Sequence, residues 1–277
     1  MLRRTILLLA FTLTGAAGAL LVMPRIVRWS RDDTSRICTI LDACRSGNAP
    51  PAVVLGDSVG MFGVDARQLH AWNFCSPAQT LGESLLLQRE LPPNVTTVVQ
   101  IVTQPQLASD VDVKPDDSNA MQLCGPCPSL AARFDGRRHV RAGLEGLARD
   151  VLRRDPDRER LVRDLYFPAP AAPRGGRLPE RRFAELADER YVVREKQLQF
   201  LRDAARGRTH YLVVLAPIHP RLRRDPPRCP PALDCVDLTT LLSEREFQDP
   251  MHATRAGAMR LTAAIRGAMT ARRLLSD

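Results

Sequence analysis

The chain predicts an α/β fold, a three-layer α/β/α sandwich around a central parallel sheet of about five strands. Three observations carry this. Short, mostly apolar runs recur along the chain, PAVVL, TVVQIV and HYLVVLA among them, each the length of a buried strand. Stretches with helical spacing separate these runs, and strands that alternate with helices assemble parallel sheets covered on both faces. A Gly-Asp-Ser turn at Gly56 to Ser58 follows the first run, and Asp249-x-x-His252 precedes the last helical stretch. In open parallel sheets both positions fall at the carboxyl edge, where ligands bind.

Residues 1–25 read as an N-terminal signal anchor. Arg3 and Arg4 precede Thr5 to Met23, nineteen uncharged residues, close to the roughly 20 needed to cross a bilayer core. Positive charge before the span holds the N-terminus in the cytoplasm and exports the rest. A cleaved signal peptide, cut near Ala16 to Ala19, is the alternative, although Leu20 to Met23 extend the apolar run past that cluster. Both readings place the domain outside the cytoplasm, the first as a single-pass protein of the inner membrane.

Residues 26–50 read as an irregular connector and residues 51–277 as the α/β domain. Within it Ala52 to Leu55 is the first strand, Val64 to His70 a short helix and Ala71 to Phe74 the second strand. Leu81, Leu85 and Leu86 give Ala78 to Leu91 a helical face, and Pro92-Pro93 stops it. Thr97 to Val102 is the third strand. From about 108 to 178 the pattern loosens into an insertion, with a helix near Val140 to Arg153 and then PAPAAPRGG. Pro179 to Arg206 follows as a long charged helix, His210 to Ala216 and Asp234 to Leu238 as strands, and Thr254 to Leu274 as the closing helix.

The seven cysteines suit an oxidising compartment. Spacing offers three local pairs: Cys38 with Cys44, Cys124 with Cys127, and Cys229 with Cys235. Cys75 lies beside apolar residues and reads as a buried thiol. CGPC at Cys124 to Cys127 has the spacing of a thiol redox motif, but no strand precedes it and prolines flank it, so a structural bridge or turn is the better reading. The net charge is +9, with arginines and acids mixed as on a solvated helix face. No aromatic interleaving accompanies the basic residues, so nucleic acid is not an expected partner. No histidine and cysteine spacing resembles a metal site, and no cofactor is expected.

A serine hydroxyl is a weak nucleophile until a positioned base takes its proton. His252 can be that base for Ser58 if Asp249, three residues upstream, holds its second ring nitrogen. The bland readings are a strand-to-helix turn for Gly56 to Ser58 and a capped helix start with a surface histidine for Asp249 to His252. Their shared placement at one sheet edge favours a common site. His219, in a proline-flanked loop, is read either as lining that site or as a turn residue.

LGDSV, and QDPMHATRAGAMRLTAAI with its Gly257, resemble the first and last blocks of the SGNH (GDSL-like) hydrolase superfamily, over about Ala52 to Arg272. LVVLAPIHP resembles a strand of exported members that act with a membrane-bound O-acyltransferase, of the D-alanyl-lipoteichoic acid and alginate O-acetyltransferase kinds. The resemblance implies a flavodoxin-like sheet, the roles given above to Ser58, His252 and Asp249, and an oxyanion site made by the amides of Ser58 and Ala78. Ala78 stands where the family has glycine. The family's asparagine after the third strand is missing, leaving Thr103 or Gln104 as substitute donors. The expected activity is an esterase or O-acyltransferase acting on acyl esters of cell-envelope glycans, with a membrane-bound O-acyltransferase as partner. The alternatives are a binding or assembly subunit of a polysaccharide-modifying complex and, more weakly, a thiol redox protein.

Overall fold

The computed structural model describes residues 33–47, 49–125 and 191–275, with scattered positions at 12–26, 129, 140–148 and 183–190. The chain divides into two compact units, residues 1–41 with 115–158, and residues 42–114 with 159–277.

The larger unit holds a five-stranded sheet in the order β2-β1-β3-β4-β5, every pair parallel. The strands are β1 (Ala52–Leu55), β2 (Ala71–Asn73), β3 (Thr97–Val102), β4 (His210–Leu215) and β5 (Cys235–Asp237). β1 and β3 are buried along their whole length, which is why they read as mostly apolar runs. Alternate residues face opposite layers. Ala52, Val54, Val99, Ile101, Leu212 and Val214 form one face and pack with Leu261, Ile265 and Met269 of the last helix. On the other face the sheet is partly polar, for Gln100 donates to Ser84 Oγ and accepts from Tyr211.

Among the described residues, the helices described from end to end are, in chain order, α1 (Asp33–Ser46), α2 (Ser58–Gly63), α3 (Leu81–Glu90), α4 (Gln104–Ala108), α5 (Pro115–Leu123), α6 (Glu195–Arg206) and α7 (Arg255–Ala271). α7 packs against α2 and a 3-10 turn at Ala66–Leu69, while α6 packs against α3, α4 and β4. The order of connections reverses between β1 and β3, so the crevice at their carboxyl ends is the topological switch point of the sheet.

Several elements differ from the sequence reading. Where Val64 to His70 was expected as a helix, there is a 3-10 turn at Ala66–Leu69, preceded by the separate short helix α2, and each is started by its own aspartate. Asp57 caps α2 through the Val59 amide and Asp65 caps the 3-10 turn through the Arg67 amide. The long charged helix expected from Pro179 is interrupted: Phe183 and Leu186 are helical, Glu189 to Arg194 are not, and α6 begins at Glu195; Tyr191-Val192-Val193 is a run of weak helix formers. The segment read as an irregular connector contains α1, and the expected insertion contains α5, which starts on Pro115, a residue suited to the first turn. Among the described residues no helix is long and apolar enough to cross a membrane. Most of Thr5 to Met23, and most of the expected insertion beyond Gly125, lie outside the described residues.

The cysteine pairing needs correction. Cys38 bonds to Cys124, 86 residues away with Cα atoms 5.1 Å apart, within the smaller unit. The local Cys38–Cys44 pair fails because both lie on α1. Six steps of helix rise separate Cα atoms by about 9 Å, beyond the roughly 7 Å limit for a disulfide. Cys124, claimed by Cys38 and fully buried, is not joined to Cys127, which lies outside the described residues. Cys229 and Cys235 pair as the sequence suggested. Cys44 and Cys75 are buried, and burial pushes the Cys44 thiol up to about 12.

Candidate active site

Gly56, Asp57 and Ser58 make the turn from β1 into α2. Gly56 has φ +152°, and a Cβ there would stand 2.8 Å from the Ile101 carbonyl oxygen, so the turn demands glycine. Asp57 Oδ1 accepts the Val59 amide at 2.9 Å, while Oδ2 accepts the Thr103 hydroxyl at 2.6 Å. Only 4% of Asp57 is exposed, and burial raises its pKa against the pull of those hydrogen bonds. The aspartate thereby fixes the position of the next residue, Ser58, from beneath.

Asp249 to His252 forms a self-contained loop. Phe247 and Ala253 make an antiparallel bridge, the Gln248 amide donates to the His252 carbonyl at 2.9 Å, and the Thr254 amide to the Glu246 carbonyl at 2.8 Å. Thr254 then caps α7 through the amide of Gly257, where a side chain would collide with the Glu246 carbonyl. Inside the loop, Asp249 Oδ1 accepts the amides of Met251 and His252 at 2.8 and 2.7 Å, and Oδ2 meets His252 Nδ1 at 2.7 Å. Burial pushes the Asp249 carboxyl upward, but the hydrogen bonds from His252 and Met251 outweigh it, and its pKa lies below the usual value.

An ionised Asp249 calls for the imidazole proton on Nδ1. That leaves the Nε2 lone pair facing Ser58 Oγ, 2.9 Å away and 194 residues distant in sequence. Phe62 meets the imidazole edge-on at 5.8 Å between ring centroids. The side chains of His252 and Asp249 are 24% and 31% exposed, open enough for a substrate to reach the ring. The three residues that the sequence singled out for nucleophile, base and orienting acid thus form one connected row. This geometry can transfer a proton from the serine hydroxyl as that oxygen attacks a carbonyl.

The other wall of the site departs from expectation. Ala78 holds φ +50°, a left-handed conformation that an alanine adopts at some strain. It lies in a turn closed by the Gln79 amide on the Ser76 carbonyl at 3.1 Å, and it is exposed. Thr103 is not placed as a donor to substrate: its hydroxyl is committed to Asp57, and its amide donates to Gln106 Oε1 at 2.9 Å. Gln104 also looks elsewhere, its Nε2 turned toward the carbonyls of Arg224 and Asp225 at 3.5 and 3.4 Å.

Two glutamines that the sequence reading passed over hold the Ala78 turn instead. Gln79 Oε1 accepts the Gly56 amide at 3.0 Å, and its Nε2 donates to the Phe74 carbonyl at 3.2 Å. Gln106 Nε2 donates to the Gln79 carbonyl at 2.6 Å. Gln106 also closes a capping box with Thr103. That Thr-x-x-Gln spacing was the available signal, because a capping box is readable at the start of a helix.

His219 is 3% exposed, packed between Phe183 and Phe247 at 4.8 and 5.1 Å, with Nδ1 accepting the Arg221 amide at 3.3 Å. Burial lowers its pKa. It is a packing and capping residue. No family model matches this chain, and no curated protein matches it.

Proposed function

We propose that this chain is an exported, membrane-anchored SGNH-like enzyme of acyl transfer, an esterase or O-acyltransferase acting on acyl esters of cell-envelope glycans. The observation that carries the reading is the Ser58–His252–Asp249 row, with contacts of 2.9 and 2.7 Å at the switch point of the sheet. The export reading is supported by the charged and apolar N-terminus and by the two disulfides. The glycan and the membrane-bound O-acyltransferase partner come from the sequence resemblance.

Ser58 Oγ attacks the ester carbonyl carbon while its proton passes to His252 Nε2. Asp249, ionised, stabilises the imidazolium. The amides of Ser58 and Ala78 receive the negative oxygen. The bond to the leaving oxygen breaks as that oxygen takes the proton from Nε2, leaving an acyl ester on Ser58. A sugar hydroxyl or water then attacks the ester, delivering its proton through Nε2 back to Ser58 Oγ.

The test is Ser58→Ala. Turnover of an activated ester is expected to fall by about 10⁴-fold or more, with the circular dichroism spectrum unchanged; retained turnover would sink the assignment. A second reading, a non-catalytic subunit, is favoured by one observation: neither Thr103 nor Gln104 points a donor at the site. A serine-directed fluorophosphonate separates the two. Covalent labelling lost in Ser58→Ala supports the enzyme, and a folded protein that takes no label supports the subunit.

A further inference from the structure

Beside the Ser58 row lies a cavity of about 50 Å³. Its lining begins next to the reacting groups, with Val59 following Ser58 and Met251 preceding His252, and continues over Pro105, Leu186, Ile218 and Leu222. It sits beyond the carboxyl ends of β3 and β4, whereas the Ala78 turn follows β2. In the strand order these are opposite sides of Ser58. A carbonyl oxygen directed to the Ala78 side therefore leaves one substituent of the ester directed to the cavity.

Three polar residues line the cavity, and the side-chain donors they carry are engaged. The Thr103 hydroxyl serves Asp57, the Gln104 amide faces the carbonyls of Arg224 and Asp225, and the Tyr191 hydroxyl serves Glu189. A sugar placed there would find no uncommitted side-chain donor and, beyond the single acceptor Gln104 Oε1, little to replace its hydrogen bonds to water, at a cost of about 1–3 kcal/mol for each unpaired group by mutational measures. A saturated chain loses nothing of the kind and gains from burial. At roughly 10–15 Å³ per water-sized occupant, the space takes about four such groups.

Resting on the acyl-transfer reading above, we infer that this cavity is the acyl-side specificity pocket, and that it takes a short saturated chain of about four to six carbons rather than acetyl alone. Ile218 and Leu222, half-buried on its wall, set the chain length accepted.

The test uses the full-length chain and a series of p-nitrophenyl esters from acetate to decanoate, in which only the acyl group varies. kcat/KM is expected to rise about 15-fold from acetate to butyrate, for two buried methylenes, to peak at butyrate or hexanoate and to fall by decanoate. Ile218→Trp is expected to cut the hexanoate-to-acetate ratio by about tenfold, for one to two methylenes excluded. Leu222→Phe, a milder filling, is expected to move it the same way. Turnover that depends on Ser58 but is flat with chain length, or a ratio unmoved in both variants, overturns the pocket and leaves the acyl-transfer reading standing. Absence of Ser58-dependent turnover and of fluorophosphonate labelling overturns both.

Discussion

The two walls around Ser58 are held by opposite means. On the Asp249–His252 side the supporting bonds are local, from two or three residues within the turn to eight across its neck. On the Ala78 side short-range bonds are joined by three that span 23, 27 and 46 residues, through Gln79, Gln106 and Thr103. The base and its acid are therefore organised as soon as their own loop closes. The Ala78 side is organised only once β1, β2 and β3 are in register, and it inherits any looseness of the sheet.

The largest expected effect comes from breaking the local wall. Asp249→Asn replaces the charge that holds the Nδ1 proton, and kcat should fall by about 10⁴-fold with KM little changed, as esterase kinetics would read. Because the folded pKa of Asp249 lies below its ordinary 3.8, its stabilisation is present above that value and is lost as pH falls through the lower folded pKa. Acid unfolding followed by fluorescence should lose that contribution in Asp249→Asn; an unchanged acid limb would contradict the assignment.

Breaking the distant wall should do less to chemistry and more to stability. Gln106→Leu strips partners from the buried Thr103 amide and Gln79 carbonyl, at about 1–3 kcal/mol in urea unfolding. A displaced Ala78 turn should lower kcat by about 10–100-fold while KM holds. Gln106→Glu keeps the acceptor and loses the donor, so its kcat should lie between Gln106→Leu and the parent. Equal kcat in all three would show that the turn does not need this tie.

The smallest expected effect is a gain. Ala78→Gly relieves a left-handed alanine, a relief of about 1–2 kcal/mol set against roughly 0.5–1 kcal/mol of added chain entropy. Thermal unfolding should show a net gain of about 0–1.5 kcal/mol, with kcat within a few-fold. A loss of stability would mean that the φ +50° conformation at Ala78 carries no strain.

The same contrast governs what the sequence made readable. β1, β3 and β4 were legible because each is buried on both faces along most or all of its length and so mostly apolar, and Thr254 marked the start of α7 by its capping position. Ser58, Asp249 and His252 were legible because each half of their row is a contiguous motif. The roles of Gln79 and Gln106 were not, since a glutamine's partner is chosen by the assembled sheet and leaves no periodic trace. The cysteines misled for a related reason. Close spacing looked like pairing, but α1 keeps Cys38 and Cys44 apart while the fold brings Cys124 to Cys38.

The Cys38–Cys124 bond has a consequence for proteolysis. Its loop encloses β1, α2, β2 and β3, and with them Ser58. A single cut at any peptide bond between those two cysteines leaves both fragments covalently joined, migrating as one band until a reductant is added. A single cut between Cys124 and Cys229 instead leaves Ser58 and His252 on chains that neither of these two disulfides joins. Outside the short Cys229–Cys235 loop, gel mobility with and without reductant therefore reports on which side of Cys124 a protease has acted.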